Sequence, residues 1–213
     1  MTLDEYLQAT EYATRRLLEA IWHEQAEIEE LSSEVRTLEQ AVQAEYIAAR
    51  IIIDDAETPD DVMLGVGRHW ENHFGPDRDR HQRQQELGSL QAKRDARAFA
   101  LGSLAAGLLH IAKQGLSIAF GKEEHWPDGR LVGTQPLKAV IRGARNQALH
   151  WEAVIRNQDT ITTFEKLASD FGSPFDEFRA ANLAMPVVDL LAWRAYDDYV
   201  ADMRCFGTGA GGQ

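Results

Sequence analysis

The sequence LKAVIRGARNQALHWEAVI, from Leu137 to Ile155, has the clearest helical pattern in the chain. Its apolar residues recur every three or four positions, the spacing of one face of an α-helix. Polar and basic side chains fall on the opposite face, about one turn apart. The stretch therefore predicts an amphipathic helix. Its apolar residues are Leu137, Val140, Ile141, Ala144, Ala148, Trp151 and Ile155, and its polar row is Arg142, Asn146 and His150, flanked by Lys138 and Arg145.

Small residues accompany this polar row. Ala139, Gly143 and Ala153 lie on the same predicted face, so no bulky side chain is expected to cover the row. A surface that only faces solvent would be richer in Glu, Lys and Gln. We therefore predict a face that an anionic group, a second helix, or both can approach.

The order of Arg145, Asn146 and His150 resembles the R-x(4-6)-H motif of the HEPN family, in which a polar residue, often Asn, follows the Arg. The resemblance covers these six positions and a generally helical background. It implies a compact all-α bundle that forms a homodimer, and a metal-independent endoribonuclease whose paired motifs form one composite cleft. The expected catalytic residues are Arg145, Asn146 and His150, and the expected substrate-binding residues are Arg142 and Lys138.

RNA cleavage without a metal needs the functional groups that these residues carry. The ribose 2′-hydroxyl attacks the phosphorus, so the reaction needs proton transfer and a cation for the phosphoryl oxygens. His150 can transfer a proton near neutral pH, Arg145 stays charged, and Asn146 can position groups without titrating. The resemblance implies products with a 2′,3′-cyclic phosphate and a 5′-hydroxyl. Because Arg145 and His150 lie about 140° apart on an ideal helix, we expect the Arg of one chain to work with the His of the other.

Several alternatives stay open. Arg68 to His73 has the same spacing, although it runs into Phe74-Gly75-Pro76, where a helix should stop. A non-catalytic helical dimer that acts as a scaffold or binds a partner is the main alternative function, and a nucleotide-binding module is a further one. A toxin or defence role, with an antitoxin protein as partner, is also open. Glu152 occupies the place of a Tyr that is modified in some HEPN toxins, so that mode of neutralisation is not expected.

The rest of the chain predicts an all-α fold, because no segment of any length alternates polar and apolar residues. A first helix of about fifty residues is predicted, since neither Gly nor Pro occurs before Pro59. Thr2 can cap its N-terminus. A second long helix is predicted from Gln82 to Ala119, antiparallel to the first. His110 lies in an apolar run within it and is expected to be a hydrogen-bonded core residue.

Shorter helices complete the predicted architecture, an elongated bundle with two long antiparallel helices. One is expected from Val62 to about Trp70, and a last one from Val187 to Met203. We expect a single HEPN-like domain over residues 1–206 and a flexible, Gly-rich tail over 207–213.

Composition limits the class of protein. The net charge of −12 argues against broad, non-specific nucleic-acid binding, although it permits a local basic cleft. A single cysteine, Cys205, fits a reducing cytosol. Without a signal peptide or an apolar run near the ~20 residues that span a bilayer, we expect a cytoplasmic protein that does not bind a membrane. His23-Glu24 lacks the second histidine of a zinc helix, and we predict neither a metal nor another cofactor.

Overall fold

A computed structural model describes residues 1–54, 77–153 and 157–208. This part of the chain is helical apart from a small hairpin and short connectors, which confirms the predicted all-α helical bundle. The predicted helix from Val62 to Trp70 and the second motif match, Arg68 to His73, lie outside the described residues. The helices are α1 (Leu3–Asp54), α2 (Asp77–Phe120), α3 (Leu137–His150), α4 (Gln158–Phe171), α5 (Ala184–Leu190) and α6 (Tyr196–Thr208).

The connectors contain the remaining regular structure of the described residues. A 3-10 turn at Glu123–His125 follows α2, and a second, Phe175–Glu177, follows α4. Strand β1 (Leu131–Val132) pairs antiparallel with β2 (Gln135–Pro136) in a tight hairpin that leads directly into α3. The hairpin sets the starting position of α3.

Thr2 caps α1 as predicted. The backbone N–H of Glu5 donates to Thr2 Oγ1 at 3.2 Å, and the backbone N–H of Thr2 donates to Glu5 Oε2 at 2.7 Å. This reciprocal pair satisfies two N–H groups at the start of the helix and is worth about 1 kcal/mol. It explains why the long helix begins where it does.

The chain divides into two compact units, Met1–Gln25 with Phe99–Gln213, and Ala26–Ala98. In the second unit, Arg97 forms an ion pair with Glu27 at 3.1 Å, and Gln91 Nε2 donates to Glu39 at 3.0 Å. From the first pair to the second, the residue number rises along α1, from 27 to 39, and falls along α2, from 97 to 91. Helices α1 and α2 are therefore antiparallel there, as predicted. The single domain expected over residues 1–206 stays a prediction.

The first unit also holds α1 and α2 in antiparallel contact. The Tyr6 hydroxyl donates to the Ile111 carbonyl at 2.9 Å, and the Tyr6 ring packs onto Gly115. Leu17 contacts Gly107 farther along the pair. Glycines on α2 therefore let α1 approach closely. The largest fully buried side chains of this unit include Ile21, Leu108, Leu109, Leu116, Phe164, Leu167, Trp193, Tyr199 and Phe206.

The prediction of one last helix from Val187 to Met203 is wrong, because two helices cover this part of the chain. The chain leaves α5 after Leu190, passes through a positive φ of 57° at Ala192, and starts α6 at Tyr196. Asp198 explains the new start, because its carboxylate accepts the backbone N–H groups of Arg194 and Ala195 at 3.1 and 2.8 Å. An acid at this position satisfies N–H groups that no helical carbonyl can reach.

The predicted tail begins too early. Gly207 and Thr208 belong to the last turn of α6, so the helix continues two residues past the predicted domain end at 206. Residues 209–213 lie outside the described residues.

Candidate functional site

Helix α3 carries the predicted motif and has the predicted apolar stripe. Leu137, Val140, Ile141, Ala144 and Ala148 are all buried. The hairpin fixes the helix start, since the Leu137 N–H donates to the Arg130 carbonyl at 2.9 Å. The helix ends at His150 and not at Ile155 as predicted, and a turn follows in which the Ala153 N–H donates to the His150 carbonyl at 3.0 Å. The amphipathic helix is confirmed, with a shorter C-terminal end.

Part of the face predicted to be open is covered by α4. Gly143 is buried, and a Cβ there would lie 2.7 Å from Thr163 Cγ2. The small residue therefore admits a neighbouring helix of the same chain, which is one of the two expected reasons for a small residue on that face. The sequence predicted that a second helix could approach this face, and α4 does so at Gly143.

Gln147 is a buried polar residue that the sequence reasoning missed. Its Nε2 donates to the carbonyls of Phe178 and Ala181 at 2.8 and 2.6 Å, and its Oε1 accepts the Leu183 N–H at 3.0 Å. A single side chain thus ties α3 to the connector before α5. The signal in the sequence is a Gln placed between the apolar positions Ala144 and Ala148.

The two predicted substrate-binding cations are paired with acids of their own chain. Arg142 forms ion pairs with Glu123 and with Asp159, from the connector after α2 and from the first turn of α4. Lys138 Nζ lies 2.7 Å from Asp128 Oδ1 and donates to the Trp126 carbonyl at 2.8 Å. Their role in substrate binding stays a prediction, and a phosphate would have to compete with these carboxylates.

Arg145 has different surroundings. Its Nε donates to His110 Nδ1 of α2 at 3.4 Å, and its Nη1 donates to Asn146 Oδ1 at 3.1 Å. The structure therefore brings Arg145 and Asn146 together and adds a histidine that lies 35 residues earlier in the chain. In the described ranges no carboxylate forms an ion pair with Arg145, so its positive charge is not neutralised locally.

His110 is exposed, and the prediction of a core histidine is wrong. Its neighbours Leu108, Leu109 and Ala112 occupy the core side of α2. His110 lies on the other side, where the hydrogen bond from Arg145 reaches it. The predicted hydrogen bond is present, but it joins two exposed or half-exposed groups and not two buried ones.

His150 is the last residue of α3, and its side chain is exposed. Among the residues that the structure describes, no hydrogen bond or ion pair joins His150 to Arg145. One chain therefore assembles Arg145, Asn146 and His110 but leaves His150 apart from them. The dimer that is expected to unite the motif stays a prediction.

Arg130 and Asp202 form a second polar cluster, away from the motif. Arg130 donates through Nε and Nη2 to the two carboxylate oxygens at 2.5 and 2.8 Å, and Trp193 Nε1 donates to Asp202 at 2.8 Å. The hydrogen bond to Asp202 raises the pKa of Arg130 above its ordinary value. This cluster fixes the hairpin onto α6 and has a structural role. Within the described ranges, no group of three or more His, Cys, Asp or Glu side chains could hold a metal ion.

No protein-family model, curated protein or solved structure matches this chain. Nor does any described helix combine the length and the apolar composition that crossing a bilayer requires. The residues of α3 and the groups around them are therefore the basis for assigning a function.

Proposed function

We propose that the chain is a metal-independent endoribonuclease of the HEPN type that acts as a homodimer on cytoplasmic RNA. The observation that carries the proposal is the environment of Arg145. Neither of its hydrogen-bond acceptors, His110 Nδ1 and Asn146 Oδ1, belongs to a carboxylate, so the guanidinium is held in place without an acid to neutralise its charge. A cation that is oriented but not neutralised is suited to a phosphodiester.

The proposed roles follow from the chemistry of each group. Arg145 has five N–H donors, of which two are used, so three remain for phosphoryl oxygens in the transition state. The exposed imidazole of His150 transfers a proton to or from the ribose or the leaving 5′-oxygen. Asn146 orients Arg145 through its side-chain carbonyl and keeps its NH2 group for the substrate.

A toxin or defence role, with an antitoxin protein as partner, is the biological setting that the HEPN resemblance suggests. RNA cleavage in the cytoplasm would arrest growth, and a cell would need to neutralise it. Expression of the wild-type chain and of His150→Ala in the same host tests this setting. Growth arrest by the wild type alone supports it, whereas equal growth of both cultures contradicts it.

The cleavage experiment uses the purified chain with EDTA and total cellular RNA, and detects 2′,3′-cyclic phosphate ends. Arg145→Ala and His150→Ala should each lower the rate by about 100-fold or more. Matched controls are Arg179→Ala and His125→Ala, which remove the same side-chain types from exposed positions of the same unit. Wild-type protein that releases no cyclic-phosphate ends from any RNA contradicts the proposal.

Mixing the two inactive variants tests whether the site is shared between chains. In a dimer of Arg145→Ala with His150→Ala, one of the two composite sites keeps both an intact Arg and an intact His. Equal mixing should therefore restore about a quarter of the wild-type rate, because half of the dimers are mixed and each has one intact site. No recovery, with mixed dimers verified by native mass spectrometry, contradicts a site built from both chains.

A non-catalytic helical scaffold is the second candidate, and the pairing of Arg142 and Lys138 favours it. These cations face carboxylates of their own chain, which reduces the positive charge that RNA would meet. A scaffold would form a stable oligomer, would cleave no RNA, and would be unaffected by His150→Ala. The cleavage experiment therefore separates the two candidates.

A further inference from the structure

The hydrogen bond between Arg145 and His110 has only one possible direction. A guanidinium can only donate, so Nδ1 of His110 is the acceptor. Arg145 is thereby held from two helices, by His110 of α2 and by Asn146 of its own helix α3.

The choice of partner preserves the charge of Arg145. A Glu or Asp at position 110 would also accept from Nε, but it would add a negative charge where an anionic substrate has to bind. Arg142, on the same helix, illustrates that arrangement with Glu123 and Asp159. The imidazole of His110 orients the guanidinium and leaves its attraction for a phosphate unchanged.

The exposure of the pair indicates that core packing does not require it. His110 is exposed and Arg145 is half-exposed, while the core side of α2 is filled by Leu108, Leu109 and Ala112. Hydrogen bonds between groups in contact with water contribute little to stability, since water can replace either partner. Removal of the imidazole should therefore leave the fold intact, and its effect can be measured on the site alone.

We infer that His110 is a positioning residue that orients the Arg145 guanidinium for phosphoryl binding, an inference that rests on the proposed ribonuclease function. His110 does not itself transfer a proton in this role. It orders the Arg145 side chain before the substrate binds, so that less conformational entropy is lost on reaching the transition state. Without it, Arg145 keeps its charge and its reach but has to be ordered by the substrate.

The test compares His110→Ala with His110→Asn in the full-length protein. The Asn side chain places a carbonyl oxygen close to the position of Nδ1, so it can still accept from Arg145 Nε but cannot transfer protons. His110→Ala should lower kcat by about 3- to 10-fold with KM within about twofold, because the lost interaction acts in the transition state. His110→Asn should recover most of kcat, and His125→Ala should match the wild type.

An NMR measurement observes the contact itself. The Nε–H resonance of Arg145, assigned by its disappearance in Arg145→Lys, should be protected from exchange in the wild type and in His110→Asn. It should exchange rapidly in His110→Ala. This readout does not depend on cleavage, so it separates a missing contact from a missing activity.

The outcomes distinguish failure of the inference from failure of the function. If the wild type cleaves RNA and His110→Ala keeps the wild-type kcat, the inference is overturned and the function stands. If His110→Asn restores the Arg145 resonance but not kcat, the imidazole acts in proton transfer and the positioning role is overturned. If the wild type cleaves no RNA, both proposals fail.

Discussion

Gly143 of α3 lies directly against Thr163 of α4. A Cβ on Gly143 would come within 2.7 Å of Thr163 Cγ2 and 2.9 Å of Thr163 Cβ, closer than Cβ atoms approach their neighbours in folded proteins. Both residues are buried, so neither can turn toward solvent to relieve a clash. Helices α3 and α4 can therefore pack this closely only because Gly143 has no side chain.

Gly143→Ala should destabilise the protein although alanine is the better helix former. Helix propensity would favour Ala by about 1 kcal/mol, but the overpacked interface should cost about 1 to 3 kcal/mol, so we expect a net destabilisation of up to about 2 kcal/mol. Urea unfolding followed by circular dichroism measures the change. Gly107→Ala is the matched control, because its Cβ would lie 3.6 Å from Leu17 and make ordinary contact. Equal stability of the two variants would show that α4 moves away easily.

The local elements of this fold could be predicted from the sequence because their causes lie within a few residues. The cap of α1 involves Thr2 and Glu5, and the buried stripe of α3 follows from helical spacing. The end of α5 and start of α6 could also have been found, since Asp197 and Asp198 form an acidic pair typical of a first helical turn.

The surroundings of the site could not be predicted, because they involve contacts between distant parts of the chain. Nothing near Arg142 in the sequence indicates Glu123 or Asp159 as its partners. His110 is a partial exception. It lies seven residues after Ser103 and four before Gln114, and all three are exposed, so helical spacing would have placed it on the polar face.

Asp202→Ala should destabilise the protein, because it removes the shared acceptor of Arg130 and Trp193. The buried indole N–H and the guanidinium would each lose a partner. Since 39% of the Arg130 side chain is exposed, water compensates for part of the loss, and we expect about 2 to 3 kcal/mol. Urea unfolding with tryptophan fluorescence checks this value. Asp189→Ala, which breaks an exposed pair with Arg194, should change stability by under about 0.5 kcal/mol.

Asp170 should make the stability of the hairpin contact depend on pH. Hydrogen bonds from the backbone N–H and hydroxyl of Thr134, at 2.7 and 2.8 Å, lower the pKa of Asp170. A carboxylate with a lowered pKa stabilises the fold above its unfolded-state pKa, and this contribution is lost as the pH falls through the folded-state value. The difference in stability between the wild type and Asp170→Ala should therefore be present at neutral pH and shrink below about pH 4.

Carboxyl NMR titration measures the same coupling directly. Thr134→Ala removes the hydroxyl donor but keeps the backbone N–H, which is the larger cause of the shift. The pKa of Asp170 should therefore rise in this variant without reaching its ordinary value. A pKa that is unchanged in Thr134→Ala would contradict a role for the hydroxyl.

Under the proposed ribonuclease function, the carboxylates of Glu123 and Asp159 should weaken RNA binding, because they form ion pairs with Arg142. Glu123→Gln with Asp159→Asn keeps the shape of both side chains and removes their charges, which frees Arg142 for a phosphate. Single-stranded RNA should bind the double variant more tightly. The slope of log K against log salt should steepen by about 0.7, the value for one added phosphate contact on a single strand. Fluorescence anisotropy over a range of salt concentrations measures both quantities.

Two further variants show whether this effect is local to Arg142. Asp176→Asn with Glu177→Gln removes the same number of charges, with the same two residue types, from exposed positions that form no ion pair within the described ranges, so it controls for the change in net charge. It should leave the salt slope near the wild-type value. Adding Arg142→Ala to the Glu123→Gln and Asp159→Asn variant should return the slope to the wild-type value. If the control pair steepens the slope equally, the charge of the whole chain, and not a freed Arg142, determines RNA binding.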